Sequence, residues 1–275
     1  MPNETFRALH QGPALLVLPN AWDAVTARLI ESMGAKAIAT TSAGLAWSRG
    51  YPDGNALPTD QVIAATHDIA RVIRVPLTVD IEGGYSDDPH EAADLVVRIL
   101  DIGAVGINIE DGAASADLLC KKIAAVRNAA VRAGVDLFIN ARTDVYLRGI
   151  AGGDAAIAEV IHRASRYRAA GCDGLFVPGI SGGDAMAAIA EAIKPMPLNV
   201  MALPNLPSMD ALRKNGVRRL SAGSAIAQAA LECTRRLTAA LLAGSLGEMF
   251  GAAAEYGSVN KLFAHDTPLT LPSAP

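Results

Sequence analysis

Residues capable of chemistry gather at the ends of short aliphatic runs. PLTVDIE (76–82) closes on Asp80 and Glu82, VGINIED (105–111) on Asn108, Glu110 and Asp111, and DLFINAR (136–142) on Asn140 and Arg142, followed by Thr143 and Asp144. KAIATT (36–41) runs into Ser42, Ala43 and Gly44, then on to Gly50-Tyr51-Pro52-Asp53-Gly54. Two positions apart on a strand, Asp80 and Glu82 are expected to point to one side, with Glu110 at the corresponding level of a neighbouring strand. Three carboxylates brought together without a cation would raise one another's pKa values. An oxygen-only cluster lacking His and Cys suits a hard divalent ion, Mg²⁺ by default, with Mn²⁺ as the alternative. Arg142, on the next strand, adds a planar two-pronged donor for carboxylate oxygens. Any one carboxylate could instead cap a helix or pair with an arginine, but their convergence on adjacent strand ends argues for a site.

Bringing these groups to one end requires parallel strands. The runs 14–19, 36–41, 76–82, 105–111, 136–142, 174–179, 197–202 and 218–223 are continuously apolar, as in strands buried on both faces. Between them, 23–33, 59–73, 89–102, 118–133, 154–170, 184–193, 208–214 and 224–242 carry apolar residues at helical spacing. Several of these end on glycine, at Gly34, Gly103, Gly134, Gly171 and Gly216. The alternation reads βα eight times with strand starts about 29 residues apart, which predicts an α/β fold of the TIM (β/α)₈ barrel type. One domain is expected over 1–275, with the barrel at about 14–244 and a helical tail at 245–275. In such barrels the chemistry lies at the C-terminal ends of the strands.

Composition agrees with a large buried core: of 275 residues 51% are hydrophobic and 19% charged, which excludes a disordered chain. Aromatics supply only 4%, against 53 Ala and 25 Gly, so the interior must be built from small and branched side chains. A net charge of −4 without like-charge runs argues against a nucleic-acid partner. No long uncharged apolar stretch and no signal-peptide plan are visible, so no membrane partner and a cytoplasmic location are expected. Cys120, Cys172 and Cys233 are expected to be free thiols. Of His10, His67, His90, His162 and His265 none closes a strand, which leaves no histidine base, and helix-surface positions are expected for most. Asn199 and Asn205 could reach a substrate. Tyr51, Tyr85 and Tyr146 either wall the pocket or pack on the barrel rim, and Gly223-Ser224 either holds a phosphate or serves close packing.

LPNAWDAVTARLIESMGAKAIATTSAGLAWSRGYPDG, LTVDIEGGY, VGINIEDG and INARTDVYL, in this order, resemble the isocitrate lyase and phosphoenolpyruvate mutase superfamily over residues 15–230. Among its members the chain looks most like lyase-like proteins often labelled phosphonomutase. The resemblance implies a metal site formed by Asp53, Asp80, Glu82 and Glu110, with Asp80 as the direct ligand and Glu82 standing where the family more often has Asp. Read alone, the GYPDG context makes Asp53 a turn residue. The resemblance further implies that Ser42, Ala43 and Gly44 hold the substrate carboxylate with Asp80 nearby, that Arg142 faces the substrate oxygens, and that Arg142, Asp53 and Glu110 are the catalytic candidates. It also implies a homo-oligomer, dimer or tetramer, that exchanges helix 224–242 between neighbouring barrels.

One family segment is missing. The lyases carry Lys-Lys/Arg-Cys-Gly-His on a loop after the fourth strand, whereas this chain runs GAASADLLCKKIAAV, with Cys120 expected as a helix thiol beside two solvated lysines. The activity expected is that of a Mg²⁺-dependent carbon–carbon lyase or decarboxylase. Its substrate would be a small 2-oxo or 2-hydroxy di- or tricarboxylic acid reacting through a pyruvate-like enolate, with pyruvate, oxaloacetate or 2-oxoglutarate at least binding. The alternatives are interconversion of phosphoenolpyruvate and phosphonopyruvate, and binding of a 2-oxo acid without turnover.

Overall fold

Strands of two to five residues form at or beside the aliphatic runs, and helices form between them. The computed structural model describes residues 2–12, 14–250 and 253–264, so His265 and the last part of the expected tail lie outside the described residues. The strands are β1 (Leu16–Leu18), β2 (Asn20–Ala21), β3 (Ile38–Thr40), β4 (Leu77–Asp80), β5 (Gly106–Glu110), β6 (Phe138–Arg142), β7 (Gly174–Phe176), β8 (Leu198–Met201) and β9 (Val217–Ser221). They pair in the order β1-β9-β8-β7-β6-β5-β4-β3-β2, and every pair is parallel.

The expected first strand is two pieces separated by Pro19, which has no N–H for a ladder. β1 pairs with β9, placing Leu16 opposite Arg219, while β2 pairs with β3, placing Asn20 opposite Ala39. One short segment therefore joins both ends of the sheet and closes the TIM barrel.

The helices are α1 (Pro2–Leu9), α2 (Ala24–Ser32), α3 (Ser42–Ser48), α4 (Thr59–Val72), α5 (Pro89–Asp101), α6 (Ala116–Arg132), α7 (Gly153–Ala170), α8 (Gly183–Ala192), α9 (Met209–Lys214), α10 (Ala225–Leu242) and α11 (Tyr256–Lys261). Asp23 and Thr26 form a capping box on α2, and Ser115 and Ser208 cap α6 and α9. Among the described residues no helix is long and apolar enough to cross a membrane.

Two helices carry no clear periodic signal. α3 is one short element directly after β3. α1 closes the N-terminal end of the barrel: Phe6 has no exposed surface, its ring centroid lies 5.6 Å from that of Phe138, and His10 stacks on Phe138 at 4.1 Å. Burial lowers the His10 pKa to about 3, so this histidine is an enclosed neutral group rather than a helix-surface one. With the ring neutral, the 2.9 Å contact assigns the proton to Nδ1, which donates to the Phe6 carbonyl.

The interior above this plug is polar. Asn140 Nδ2 donates to Asn108 Oδ1 at 2.9 Å and to Asn199 Oδ1 at 3.0 Å, and Arg219 Nη2 donates to Asn108 Oδ1 at 3.1 Å. These residues come from β5, β6, β8 and β9, so the layer crosses the barrel directly beneath the strand ends. Buried alanines such as Ala27, Ala65, Ala93, Ala130 and Ala164 line the surrounding helix–strand contacts and permit the close approach that the composition suggested.

Candidate active site

β5 and β6 are in a register that places Glu110 opposite Arg142. Each ends its strand, two positions after Asn108 and Asn140 of the polar layer, so side chains of alternate residues carry the layer upward into the mouth. Arg142 Nη1 meets Glu110 Oε2 at 2.6 Å, while Nε and Nη2 meet the two oxygens of Asp144 at 2.7 and 3.0 Å. The guanidinium is thus hydrogen-bonded to Asp144 through Nε and Nη2, ion-paired with Glu110 through Nη1, and lies over the Phe176 ring, 5.8 Å from its centroid. Burial works against its charge, but Glu110, Asp144 and Asp80 outweigh it and keep the Arg142 pKa above the ordinary arginine value.

Asp80 ends β4. Its half-buried carboxyl is pushed above the ordinary aspartate range by desolvation and, further, by the charge of Asp53; Arg142 and the backbone N–H groups of Glu82 and Ser42 work the other way. Burial likewise pushes Glu110 up to about 8, against the pull of Arg142 and with the help of Asp80, Asp144 and Glu82.

Glu82 departs from the expected alternation. It lies beyond the end of β4 in left-handed backbone at φ 49°, so it does not point with Asp80 by strand geometry. Its Oε2 instead accepts from the Asn55 N–H, while Asn55 Oδ1 accepts from Gly83 N and Tyr85 N, both at 3.1 Å. Asn55 (φ 60°) and Tyr85 (φ 57°) share that unusual conformation, so three strained residues interlock and fasten the Asp53 loop to the turn after β4. Burial and the nearby charges of Asp53 and Asp80 raise the Glu82 pKa, although the Asn55 N–H opposes them. Glu82 Oε1 is buried and has no hydrogen-bond partner.

The expected convergence of three carboxylates on one ion is modified accordingly. Glu110 is turned to Arg142 and Glu82 to Asn55, and among the described residues no group of three or more His, Cys, Asp or Glu side chains is arranged to hold an ion. Asp53 is exposed in a bend, close enough for its charge to act on Asp80 and Glu82. What stands ready is one half-buried aspartate, Asp80, and two buried carboxylate oxygens without a hydrogen bond, Glu82 Oε1 and Glu110 Oε2, the second of which is ion-paired with Arg142. Oxygen donors in that number fit Mg²⁺, which commonly takes one or two protein carboxylates and keeps several waters.

Ser42, Ala43 and Gly44 form the buried first turn of α3 rather than a loop. The Ser42 N–H faces Asp80. Gly44 has a packing reason of its own, since a Cβ there would come within 2.7 Å of Trp22 Cβ and 2.8 Å of Thr41 Cγ2. Packing also accounts for Gly223, where a Cβ would meet Met201 Sδ at 2.6 Å.

Asn199 does not present a free amide to the mouth. It accepts from Asn140, and its Nδ2 contacts the Val200 carbonyl, the Arg219 carbonyl and Ser221 Oγ. Asn205 and Tyr51 are exposed, and Tyr85 and Tyr146 are half-buried. Lys122 is not solvated as expected: it is 4% exposed and donates to the Gly83 carbonyl at 2.7 Å, tying α6 to the turn that bears Glu82. Neither Asp144 nor this lysine was singled out by its sequence context, and the pairing of Asp144 with Arg142 two residues earlier was the one local signal available.

The model of the family described as phosphoenolpyruvate phosphomutase matches residues 6–242, and the chain belongs to this family, within the isocitrate lyase and phosphoenolpyruvate mutase superfamily. An uncharacterised Mycobacterium tuberculosis protein (strain H37Rv) is 39% identical over 222 residues, which is 80% of this chain and 82% of that protein. The 2-methylisocitrate lyase of Bacillus subtilis is 30% identical, over 70% of this chain and 64% of the lyase. Among solved structures, a Burkholderia cenocepacia J2315 protein provisionally described as a lyase or mutase superimposes with a TM-score of 0.87 at 34% identity, over 97% of each chain.

Proposed function

We propose that the protein is a divalent-metal-assisted carbon–carbon lyase or decarboxylase acting on a small 2-oxo or 2-hydroxy di- or tricarboxylic acid. The observation that carries this reading is the Arg142 guanidinium, fixed by Asp144 and Glu110 beside the half-buried Asp80. Two of its five N–H groups hydrogen-bond to Asp144 and Nη1 is ion-paired with Glu110, which leaves one N–H on Nη1 and one on Nη2 to meet the oxygens of a substrate. The names of relatives support the class: 2-methylisocitrate lyase in Bacillus subtilis, and oxaloacetate decarboxylase in Pseudomonas entomophila at 28% identity.

Asp80 and Glu82 would hold the ion, Mg²⁺ or Mn²⁺, with Asp53 and Glu110 reaching it through water. When bound, such an ion polarises the keto oxygen of a 2-oxo acid and lowers the cost of charge developing there. The chain's own groups do the rest. Arg142 binds and orients the substrate oxygens, and its remaining N–H pair stabilises the oxyanion as the carbon–carbon bond breaks. The first turn of α3, at Ser42 to Gly44, sits beside Asp80 where the substrate carboxylate would lie. The polar layer of Asn108, Asn140, Asn199 and Arg219 fixes the strand ends from below.

A helix-exchanged homo-oligomer accompanies this reading. α10 has Ala227 as its one buried residue among those described, while Leu231 and Leu242 are 54% and 83% exposed. Beside β1, an apolar groove of about 670 Å³ lined by Val17, Leu29, Met33 and Ile226 among others lies open to receive such a helix from a second copy.

The test is product release from oxaloacetate, 2-methylisocitrate, isocitrate and 2,3-dimethylmalate with Mg²⁺, monitored as pyruvate, glyoxylate or succinate. Chelator-sensitive release from at least one is expected. No release from any of them overturns the lyase reading, and phosphonopyruvate formation seen by phosphorus NMR would replace it with the mutase one.

A further inference from the structure

Asp111 follows Glu110 but points away from the mouth, and its side chain has no exposed surface. Oδ2 accepts from Arg163 Nη1 at 2.8 Å and from the Tyr167 hydroxyl at 2.6 Å, both one turn apart on α7. Oδ1 accepts from the Asp144 N–H at 2.9 Å, and the Asp111 N–H donates to the Arg142 carbonyl at 3.2 Å. Arg163 is itself steadied by Glu159, at 2.6 Å. A continuous path of hydrogen bonds therefore runs from α7 through Asp111 to the backbone of Asp144, and from the Asp144 carboxylate to the Arg142 guanidinium.

This path answers a geometric need. An arginine side chain is long and flexible, and a two-pronged pair with a carboxylate fixes its plane only if the carboxylate is itself fixed. Asp144 lies beyond the end of β6, so no ladder bond to a neighbouring strand holds its backbone. We propose that Asp111 is a positioning residue for Arg142: it pins the Asp144 turn to α7 and thereby sets the plane in which the guanidinium offers its two remaining N–H groups. The role rests on Arg142 being the substrate-facing cation. Asp111 touches neither substrate nor metal in this arrangement. An asparagine at 111 has one acceptor oxygen, so its NH₂ must face either the Asp144 N–H or the two donors on α7, and in both orientations the anchor is weakened.

The measurement is solvent exchange of arginine Nε–H groups in the full chain labelled with ¹⁵N-arginine, the Arg142 signal being assigned by its loss in Arg142→Lys. Arg127 is an internal reference, because its Nε donates to the Gly171 carbonyl at 3.0 Å outside the path. Asp111→Asn is expected to speed Arg142 exchange by about tenfold and to weaken Mg²⁺-dependent oxalate binding by about as much, as for loss of a hydrogen bond to a charged group. Arg127 is expected to stay within about twofold of wild type, and Tyr167→Phe to move Arg142 in the same direction by about two- to threefold. Unchanged Arg142 exchange in both variants overturns the proposal, as does equal acceleration at Arg127, which would mark general loosening. Should Asp111→Asn fail to fold, Tyr167→Phe, which keeps the ring, decides. A wild type that does not bind oxalate overturns the substrate reading instead, and the exchange comparison then judges the positioning role by itself.

Discussion

At the N-terminal end of the barrel, His10 is enclosed between Phe6 and Phe138 and held neutral, with its Nδ1–H donating to a backbone carbonyl. At the C-terminal end, Glu110 and Asp144 flank Arg142 with Asp80 and Glu82 nearby, two buried carboxylate oxygens have no hydrogen bond, and three non-glycine residues take positive φ. Both ends bury titratable groups. The first does so by removing charge, as burial of an isolated histidine requires, and the second crowds carboxyls beside one arginine, so that burial and mutual repulsion push Asp80, Glu82 and Glu110 upward. An end built for stability neutralises and partners its polar groups, whereas carboxyls crowded to raised pKa values, with strained backbone around them, are what a cation would relieve.

This contrast makes predictions that separate the two ends. Phe6→Ala should cost about 3–5 kcal/mol of stability, the penalty for emptying an aromatic site in a core, with Mg²⁺-dependent oxalate affinity unchanged. Chemical denaturation and calorimetric titration measure the two quantities. Arg142→Lys should act the other way: oxalate affinity falls about 100-fold, roughly 3 kcal/mol, while the melting temperature moves by only a few degrees, because a lysine keeps the charge but not the planar fork.

The histidine gives a pH signature. His10 in the folded protein has a pKa of about 3, below the unfolded value of about 6.5, so the unfolded chain takes up a proton that the folded chain refuses. Stability assigned to this group is whole above about pH 6.5 and is lost as the pH falls toward 3. Between pH 6.5 and 4.5 wild type should lose about 2–3 kcal/mol more than His10→Gln in parallel denaturation curves. The smallest effect is expected at Thr78, whose buried Oγ1 has no partner: Thr78→Val should stabilise the protein by about 1 kcal/mol in denaturation curves, since the desolvation penalty of the hydroxyl is relieved and no hydrogen bond is removed.

The barrel was readable in the sequence because parallel strands covered on both faces must be continuously apolar, and the runs ending at Asp80, Glu110 and Arg142 are of that kind. Helix ends at Gly34 and Gly171 were readable too, and both take positive φ, at 91° and 109°. The split at Pro19 was within reach, since a proline in a strand signals a missing donor. α1 and α3 were not, because each is too short for its apolar spacing to stand out and α1 is held in place by tertiary burial of Phe6. Around the site, residue types were legible while orientations were not. Strand alternation places Glu82 beside Asp80, but nothing local announces that Asn55 draws Glu82 into left-handed backbone. Lys122 departs from its expected solvation because lysine is ordinarily exposed, and only the packed fold shows it reaching the Gly83 carbonyl. The register that sets Glu110 against Arg142 depends on how β5 and β6 pair, which the two strands read separately do not reveal.

The most direct test of the central claim is a crystal structure of the full chain grown with Mg²⁺ and oxalate, a small mimic of the 2-oxo acid head. The account predicts an ion on Asp80 and an oxalate oxygen within hydrogen-bond distance of the Arg142 guanidinium, with Asp144 still gripping its other edge. Oxalate bound elsewhere on the barrel, or an ion that leaves Asp80 uncontacted, would contradict it.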